Sequence, residues 1–194
     1  APWDVLRAAH RARETTSRVA AGALARRLLA EFGVEIGSHV VSLGGIRAQP
    51  PATLPVPLNA ASDASPVRTL DPVAEAAMVS AVDAAKQAGD TLGGEIEVVA
   101  RGVVVGLGSH VRWDRKLDGR LAAHLMSIPA VKGVELGLGF EQTRRLGSEV
   151  HDVIEGRGPD GGWVHRSNNA GGLTGGITNG EPLVVRGAVK PIST

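Results

Sequence analysis

The sequence contains no cysteine among its 194 residues. This absence excludes disulfide bonds, thiolate catalysis and zinc sites built on cysteine, and it is compatible with a reducing compartment. Aromatic residues make up only 3% of the chain. We therefore expect Val, Leu, Ile and Ala to fill the core, and we do not expect the aromatic stacking surface with which many proteins bind single-stranded nucleic acid.

The sequence also lacks an excess of charge and a long apolar run. Its 21 basic and 20 acidic residues give a formal net charge of +1, whereas a protein that binds nucleic acid or a membrane surface should be plainly basic. No apolar run approaches the roughly 20 residues of a membrane span, and the first residues lack the apolar core of a signal peptide. We therefore expect no nucleic-acid partner, no membrane and a cytoplasmic location.

Hydrophobic periodicity predicts a mixed α and β chain, which we expect to form a single domain over residues 1–194. Asp71 followed by Pro72 is a typical helix start, and Gly89 is a typical stop. Residues 49–67 are rich in Pro and Ala, and a loop of this length is typically functional or mobile. Helices are predicted at 13–32, 72–88 and 117–126, and strands at 34–43, 95–105, 131–136 and 183–189.

The most informative stretch is a glycine-rich segment, residues 168–180, which precedes the strand predicted at 183–189. It contains Gly171, Gly172, Gly175, Gly176 and Gly180 among Asn and Thr residues. Glycine permits positive φ and close approach of a ligand to the backbone, while Asn and Thr side chains hold turns by local hydrogen bonds. The strand then leads to Lys190. Taken alone, the pattern is more typical of turns than of a ligand site.

Eight motifs distributed along the chain narrow the interpretation. They are ARET (12–15), RVAAG (18–22), DTLGG (90–94), GLG (106–108), LD followed by LA (117–122), SIPAVKGVELGLGF (127–140), GSEVHD (147–152) and KPIST (190–194). In this order and at this spacing they resemble chorismate synthase. Several ordered motifs are far more specific than a lone glycine pattern.

The resemblance implies both a fold and a reaction. The fold is α+β, a chorismate-synthase-like β-α-β sandwich with helices between sheets, present here in part, and assembled as a homotetramer. The reaction is the 1,4-elimination of phosphate from 5-enolpyruvylshikimate-3-phosphate to give chorismate in the shikimate pathway. Reduced FMN is the implied cofactor, and NADPH is the implied candidate reductant. A substrate with two carboxylates and a phosphate requires several Arg or Lys contacts.

The resemblance also implies site residues. The implied flavin contacts are Pro129, Ala130, Gly175, Lys190, Pro191, Ile192, Ser193 and Thr194. Arg13, in the ARET motif at a predicted helix start, is the implied substrate contact. Small residues allow a ring to lie against the backbone, and Lys, Ser and Thr supply hydrogen-bond donors. For Lys132, flavin contact and a solvated lysine at a strand edge remain equal alternatives.

The chain departs from the family pattern in three places. Ala9, His10 and Arg11 replace the usual Arg, small residue and Ser before ARET. The histidine-bearing segments that open family members, and the segment after KPIST, have no counterpart. We therefore assign no catalytic residue, and we expect an internal fragment that is inactive and aggregation-prone alone. The alternative is a non-catalytic flavin- or anion-binding module.

Other chemistries find little support in the sequence. The histidines at 39, 110, 124, 151 and 165 show no ligand spacing, so we expect no metal site. Gly137 and Gly139 lack the third glycine of a dinucleotide-binding turn, and no phosphate-loop lysine motif is present. Glu149 and Asp152 either orient water or a cation or form a capped turn.

Overall fold

The computed structural model describes residues 2–159 and 161–192, with side chains from residue 13 onward. Its helices are α1 (Pro2–Glu31), α2 (Leu58–Ser62), α3 (Pro72–Ala88), α4 (Leu117–Met126) and α5 (Gly147–Val150), with 3-10 turns at Trp113–Arg115 and Gly139–Arg144. Its strands are β1 (Glu35–Leu43), β2 (Ile46–Arg47), β3 (Gly94–Arg101), β4 (Val131–Leu136), β5 (Ile154–Arg157), β6 (Trp163–His165), β7 (Leu173–Thr174), β8 (Ile177–Thr178) and β9 (Leu183–Val189). Within these residues, no helix has the length and apolar character needed to span a bilayer.

A five-stranded antiparallel sheet with the order β2-β1-β3-β9-β4 is the largest sheet described. β9 lies between β3 and β4, although it is the last strand in the sequence. Consequently the end of β9, which leads to Lys190, lies beside the start of β4. The two small hairpins, β5-β6 and β7-β8, lie outside this sheet.

α3 agrees with its predicted boundaries because its ends are specified locally. The Asp71 carboxylate accepts hydrogen bonds from the N–H groups of Val73 and Ala74, and Pro72 occupies the first turn. At the other end Gly89 adopts a left-handed conformation with φ +66°, which glycine tolerates best. Met78 on this helix is completely buried.

The predicted helix at 13–32 is part of a longer helix, because α1 begins at Pro2. Its apolar stripe is not buried among the described residues: Leu24 is 75% exposed and Phe32 is 72% exposed. Ala23, Arg26, Arg27 and Ala30, on another face, line a cavity together with the first residues of β1. The periodicity therefore predicted the helix correctly, but its apolar stripe is not the face that borders β1.

The predicted strand at 95–105 ends four residues early, at Arg101. Gly102 has φ +73°, and a Cβ there would lie 2.3 Å from the carbonyl oxygen of Gly33. This close crossing of two backbones turns the chain out of the sheet. The β-branched residues that follow pair with another segment, since the Thr178 hydroxyl donates to the Val104 carbonyl at 2.6 Å.

The predicted loop at 49–67 is wrong in part, because it contains α2. Leu58 is almost fully buried and packs where a Cβ on Gly37 would stand. Asn59 and Ser62 bond the backbone of β1 at Ser38. The segment therefore covers an edge of β1, and edge coverage is one way in which proteins protect an exposed strand.

Candidate cofactor and substrate site

The SIPA turn and the end of β9 meet at one place. The Lys190 N–H donates a hydrogen bond of 2.9 Å to the Ala130 carbonyl, and Val131 lies opposite Val189 in the sheet. Ala130 has φ +69°, an uncommon conformation for a residue other than glycine and one that is enriched at ligand sites. The structure therefore brings together five of the predicted flavin residues: Pro129, Ala130, Lys190, Pro191 and Ile192.

These residues leave an exposed surface at this end of the sheet. Lys190, Pro191 and Ile192 are exposed, while Pro129 and Ala130 are half-buried. The predicted contacts Ser193 and Thr194 lie outside the described residues.

Gly175 lies away from this meeting point, at the tip of the β7-β8 hairpin. It has φ +64°, and a Cβ there would meet no described atom within 4 Å. The hairpin joins the start of α4, since the Leu117 N–H donates to the Gly176 carbonyl at 2.8 Å. At 1.5 Å per residue, α4 is about 15 Å long. Gly175 and Ala130 therefore flank opposite ends of one helix.

Most glycines of the glycine-rich segment serve packing. A Cβ on Gly171 would lie 2.4 Å from the Gly137 nitrogen, and one on Gly172 would lie 2.6 Å from the Pro182 oxygen. Both glycines are buried, so they cannot offer their backbone to a ligand. Gly175, in contrast, is exposed, and no described atom lies within 4 Å of where its Cβ would be. It therefore stays a candidate for backbone contact with a ligand, as the resemblance implies.

Asp152 anchors the glycine-rich segment. Its carboxylate accepts hydrogen bonds from Asn169 N–H at 2.7 Å, Ala170 N–H at 2.9 Å and the Ser167 hydroxyl at 2.6 Å. Glu149 accepts from the Leu146 N–H at 3.1 Å. Both carboxylates therefore hold turns, in agreement with the capped-turn alternative.

Arg13 does not lie at a helix start, which corrects one argument from the sequence. It lies inside α1 and is exposed, so the positive end of the helix dipole gives it no support as an anion site. Arg18, one to two turns further on, connects α1 to the SIPA motif through a 2.8 Å hydrogen bond from its Nη1 to the Ser127 hydroxyl. Lys132 is exposed on the edge strand β4.

A row of four charged or polar residues crosses the sheet and was missed from the sequence. His39, Glu97, Arg186 and Glu135 are direct neighbours in the registers of β1, β3, β9 and β4. Glu97 lies 3.1 Å from the His39 ring and 2.7 Å from Arg186 Nε. Burial raises the pKa of Glu97, but the hydrogen bonds from His39 and Arg186 outweigh burial and hold that pKa below its usual value.

Two cavities lie near these elements. One of about 760 Å³ is lined by Arg47, Glu95, Glu135, Arg145 and Arg186 among others; none of the predicted cofactor residues that the structure describes lines it. Its cations are paired with acids, as in Arg47–Glu95 at 3.5 Å and Arg145–Glu141 at 3.5 Å. The other, of about 460 Å³, borders Pro191, Gly44 and Gly93. The smaller cavity is the better candidate for part of a cofactor site, because the predicted flavin residue Pro191 borders it.

These features define the protein as an α+β protein with a curled antiparallel sheet and a surface of small residues and one lysine at the sheet's end. The family model described as chorismate synthase matches residues 6–194. The chain is 59% identical over 184 residues to the chorismate synthase of Symbiobacterium thermophilum, covering 94% of this chain and 47% of that protein. It is 52% identical over 189 residues to that of Geobacter sulfurreducens, covering 94% and 48%.

A crystal structure of chorismate synthase matches with a TM-score of 0.85 at 46% identity, over 93% of this chain and 56% of that one. The chain therefore belongs to the chorismate synthase family, and the predicted α+β class is confirmed. It spans about half the length of the curated relatives it matches.

Proposed function

We propose that this chain forms the flavin-binding part of a chorismate synthase, a carbon–oxygen lyase that eliminates phosphate from 5-enolpyruvylshikimate-3-phosphate to give chorismate. The observation that carries the proposal is the contact between Ala130 and Lys190. It joins two family motifs that are 60 residues apart at one exposed surface. The whole enzyme is proposed to be a cytoplasmic homotetramer of the shikimate pathway.

The residues at this surface, together with Gly175 beyond the other end of α4, fit reduced FMN. Ala130 is small and half-buried, Lys190 is an exposed cation, and Gly175 leaves open space above its backbone. Lys190 would balance the negative charge of the cofactor, and Ala130 would permit close approach of its flat ring. Gly175 would permit close approach of another part of the cofactor. Reduced FMN, when bound, supplies electron density to the elimination without net oxidation, and NADPH is the proposed reductant.

The substrate requires cations for two carboxylates and a phosphate. Arg13 is exposed on α1, and its planar guanidinium can hold one such oxyanion through two hydrogen bonds. Arg18 fixes the SIPA turn to the same helix. Because no histidine of this chain is assigned as acid or base, we propose that turnover needs proton donors and acceptors from outside these residues.

An anaerobic titration with oxidised and reduced FMN, with and without the substrate, tests this proposal. Saturable changes in flavin absorbance without chorismate release support a flavin-binding part that lacks its acid and base. If neither form of FMN binds, the proposed flavin site is wrong. Chorismate release by this chain alone would contradict the assignment of proton transfer to outside groups.

Substitutions sharpen the titration. Gly175→Ala should weaken FMN binding about tenfold, because the methyl group occupies the open space beside the backbone. Gly161→Ala is the matched control, since Gly161 has φ +80° and equally open surroundings in another hairpin. Lys190→Gln should also weaken FMN binding about tenfold through loss of the cation. Equal binding by the two alanine variants would exclude Gly175 as a contact.

A further inference from the structure

Thr91 contacts the same segment that carries Lys190. Its hydroxyl donates a hydrogen bond of 2.5 Å to the carbonyl of Ile192. Thr91 belongs to the DTLGG motif, and neither the resemblance nor the site described above assigns it a role. The contact therefore brings a third family motif to the surface at which the SIPA turn and the end of β9 meet.

The position of Thr91 is set by the end of α3. Gly89 stops that helix in a left-handed conformation, and the Asp90 N–H then donates to the Ala85 carbonyl at 2.9 Å. The Thr91 N–H donates to the Asp90 carboxylate at 2.7 Å. Thr91 is thus fixed by a helix cap, and its hydroxyl points at Ile192 without help from a ligand.

The backbone of the same motif lies directly against the segment. A Cβ on Gly93 would lie 2.7 Å from the Val189 oxygen and 2.8 Å from Pro191 Cδ. The Gly93 carbonyl is itself held, because it accepts a 2.9 Å hydrogen bond from the Gly44 N–H. A rigid turn therefore supports one side of the segment, while Ala130 supports the other side through Lys190.

We propose that Thr91 is a positioning residue that holds Lys190–Ile192 in the conformation that receives the flavin, an inference that rests on the proposed function. Ile192 is 65% exposed, so packing alone holds its backbone weakly. The hydrogen bond from the Thr91 hydroxyl holds the Ile192 carbonyl, two residues after Lys190. Without it, the donors of this segment lose their orientation toward the cofactor.

Thr91→Val removes the hydroxyl at nearly constant shape, and Thr91→Ser restores it. Hydrogen exchange at the amides of Val189, Lys190 and Ile192, measured without flavin, should become about fivefold faster in Thr91→Val and return toward wild type in Thr91→Ser. Where FMN binds, its dissociation constant should rise about fivefold in Thr91→Val only. Thr143→Val is the matched control, because the Thr143 hydroxyl bonds a backbone carbonyl elsewhere, that of Phe140.

The two measurements separate this inference from the proposed function. Unchanged exchange at the amides of Val189, Lys190 and Ile192 in Thr91→Val overturns the positioning role, whether or not flavin binds. Faster exchange with an unchanged dissociation constant for FMN overturns the link between this segment and the cofactor. Failure of the wild-type chain to bind FMN would count against the proposed flavin site, while the exchange result still decides whether Thr91 positions the segment.

Discussion

Glu97 illustrates how a single residue in the sheet depends on its neighbours. It is 7% exposed and contacts His39 on one side and Arg186 on the other. A buried carboxylate is costly unless it is paired and hydrogen-bonded. Burial raises the pKa of Glu97, and the hydrogen bonds from His39 and Arg186 lower it by more, so that it stays below its usual value.

We expect Glu97→Gln to lower the free energy of unfolding at pH 7 by about 2 kcal/mol, because charge-assisted hydrogen bonds are lost and Arg186 loses the nearer of its two carboxylate partners. The pKa of Glu97 is lower in the folded state than its usual value, so its stabilisation is present above that value and lost as pH falls through the folded pKa. The difference between variant and wild type should therefore shrink toward pH 3. Urea unfolding at both pH values measures it.

Glu95→Gln is the control for that experiment. Glu95 lies on the same strand, but its pair with Arg47 is more exposed, and exposed pairs contribute little. We expect its effect to stay within about 0.5 kcal/mol. A Glu97→Gln protein as stable as Glu95→Gln at pH 7 would show that the row across the sheet does not stabilise the fold.

At this scale the sequence predicts local chemistry better than cross-strand contacts. The cap at Asp71 and the positive φ of the glycines in the glycine-rich segment could be predicted from neighbouring residues, and the structure confirms both. His39 and Glu97 are 58 positions apart. Their contact depends on the register of β1 and β3, which no local pattern reveals. The sequence therefore contains no sign that His39 has a carboxylate partner.

Among the elements, α3 was predicted accurately because neighbouring residues specify both of its ends. α4, β4 and β9 have the predicted boundaries. The end of β3 depends on the crossing of Gly102 with Gly33, and α2 depends on packing against β1. Both are contacts over long sequence separations. They explain why the prediction extended β3 too far and overlooked α2.

Gly137 joins β4 to the glycine-rich segment, and we expect Gly137→Ala to lower the free energy of unfolding by about 3 kcal/mol. Gly137 has φ +56°, and a Cβ there would lie 2.0 Å from the Asn169 oxygen and 2.5 Å from the Gly171 nitrogen. Both atoms belong to backbone, so they cannot move aside without separating the two elements. Urea unfolding and hydrogen exchange at the Leu138 amide, which bonds Asn169, report the change.

Gly133→Ala, within β4, is the matched control. A Cβ there would meet only the side chain of Ala188, at 3.3 Å, so we expect a loss within about 1 kcal/mol. If the two variants were equally stable, the approach of β4 to the glycine-rich segment would be less tight than the structure shows.

For the molecule as a whole, the arrangement of α1 is the decisive feature. Ala23, Arg26, Arg27 and Ala30 line a cavity beside the start of β1, while Val19, Leu24, Leu28 and Phe32 are all at least 60% exposed. Leu24, Leu28 and Phe32 follow each other at intervals of four residues and form one stripe. Contiguous apolar surface of this kind is typical of interaction sites and of aggregation-prone surfaces.

We expect this chain to self-associate in solution through that stripe, because association removes its apolar surface from water. Sedimentation velocity should show a mass that rises with concentration, and the triple variant Leu24→Gln, Leu28→Gln, Phe32→Gln should shift the distribution to monomer. The matched control replaces Val73, Val104 and Val111, which are equally exposed but dispersed over other elements, and it should associate like wild type. A concentration-independent monomer for the unsubstituted chain would contradict the expectation. Equal dissociation of both triple variants would also contradict it, because dissociation would then follow from lower hydrophobicity in general and not from the stripe on α1.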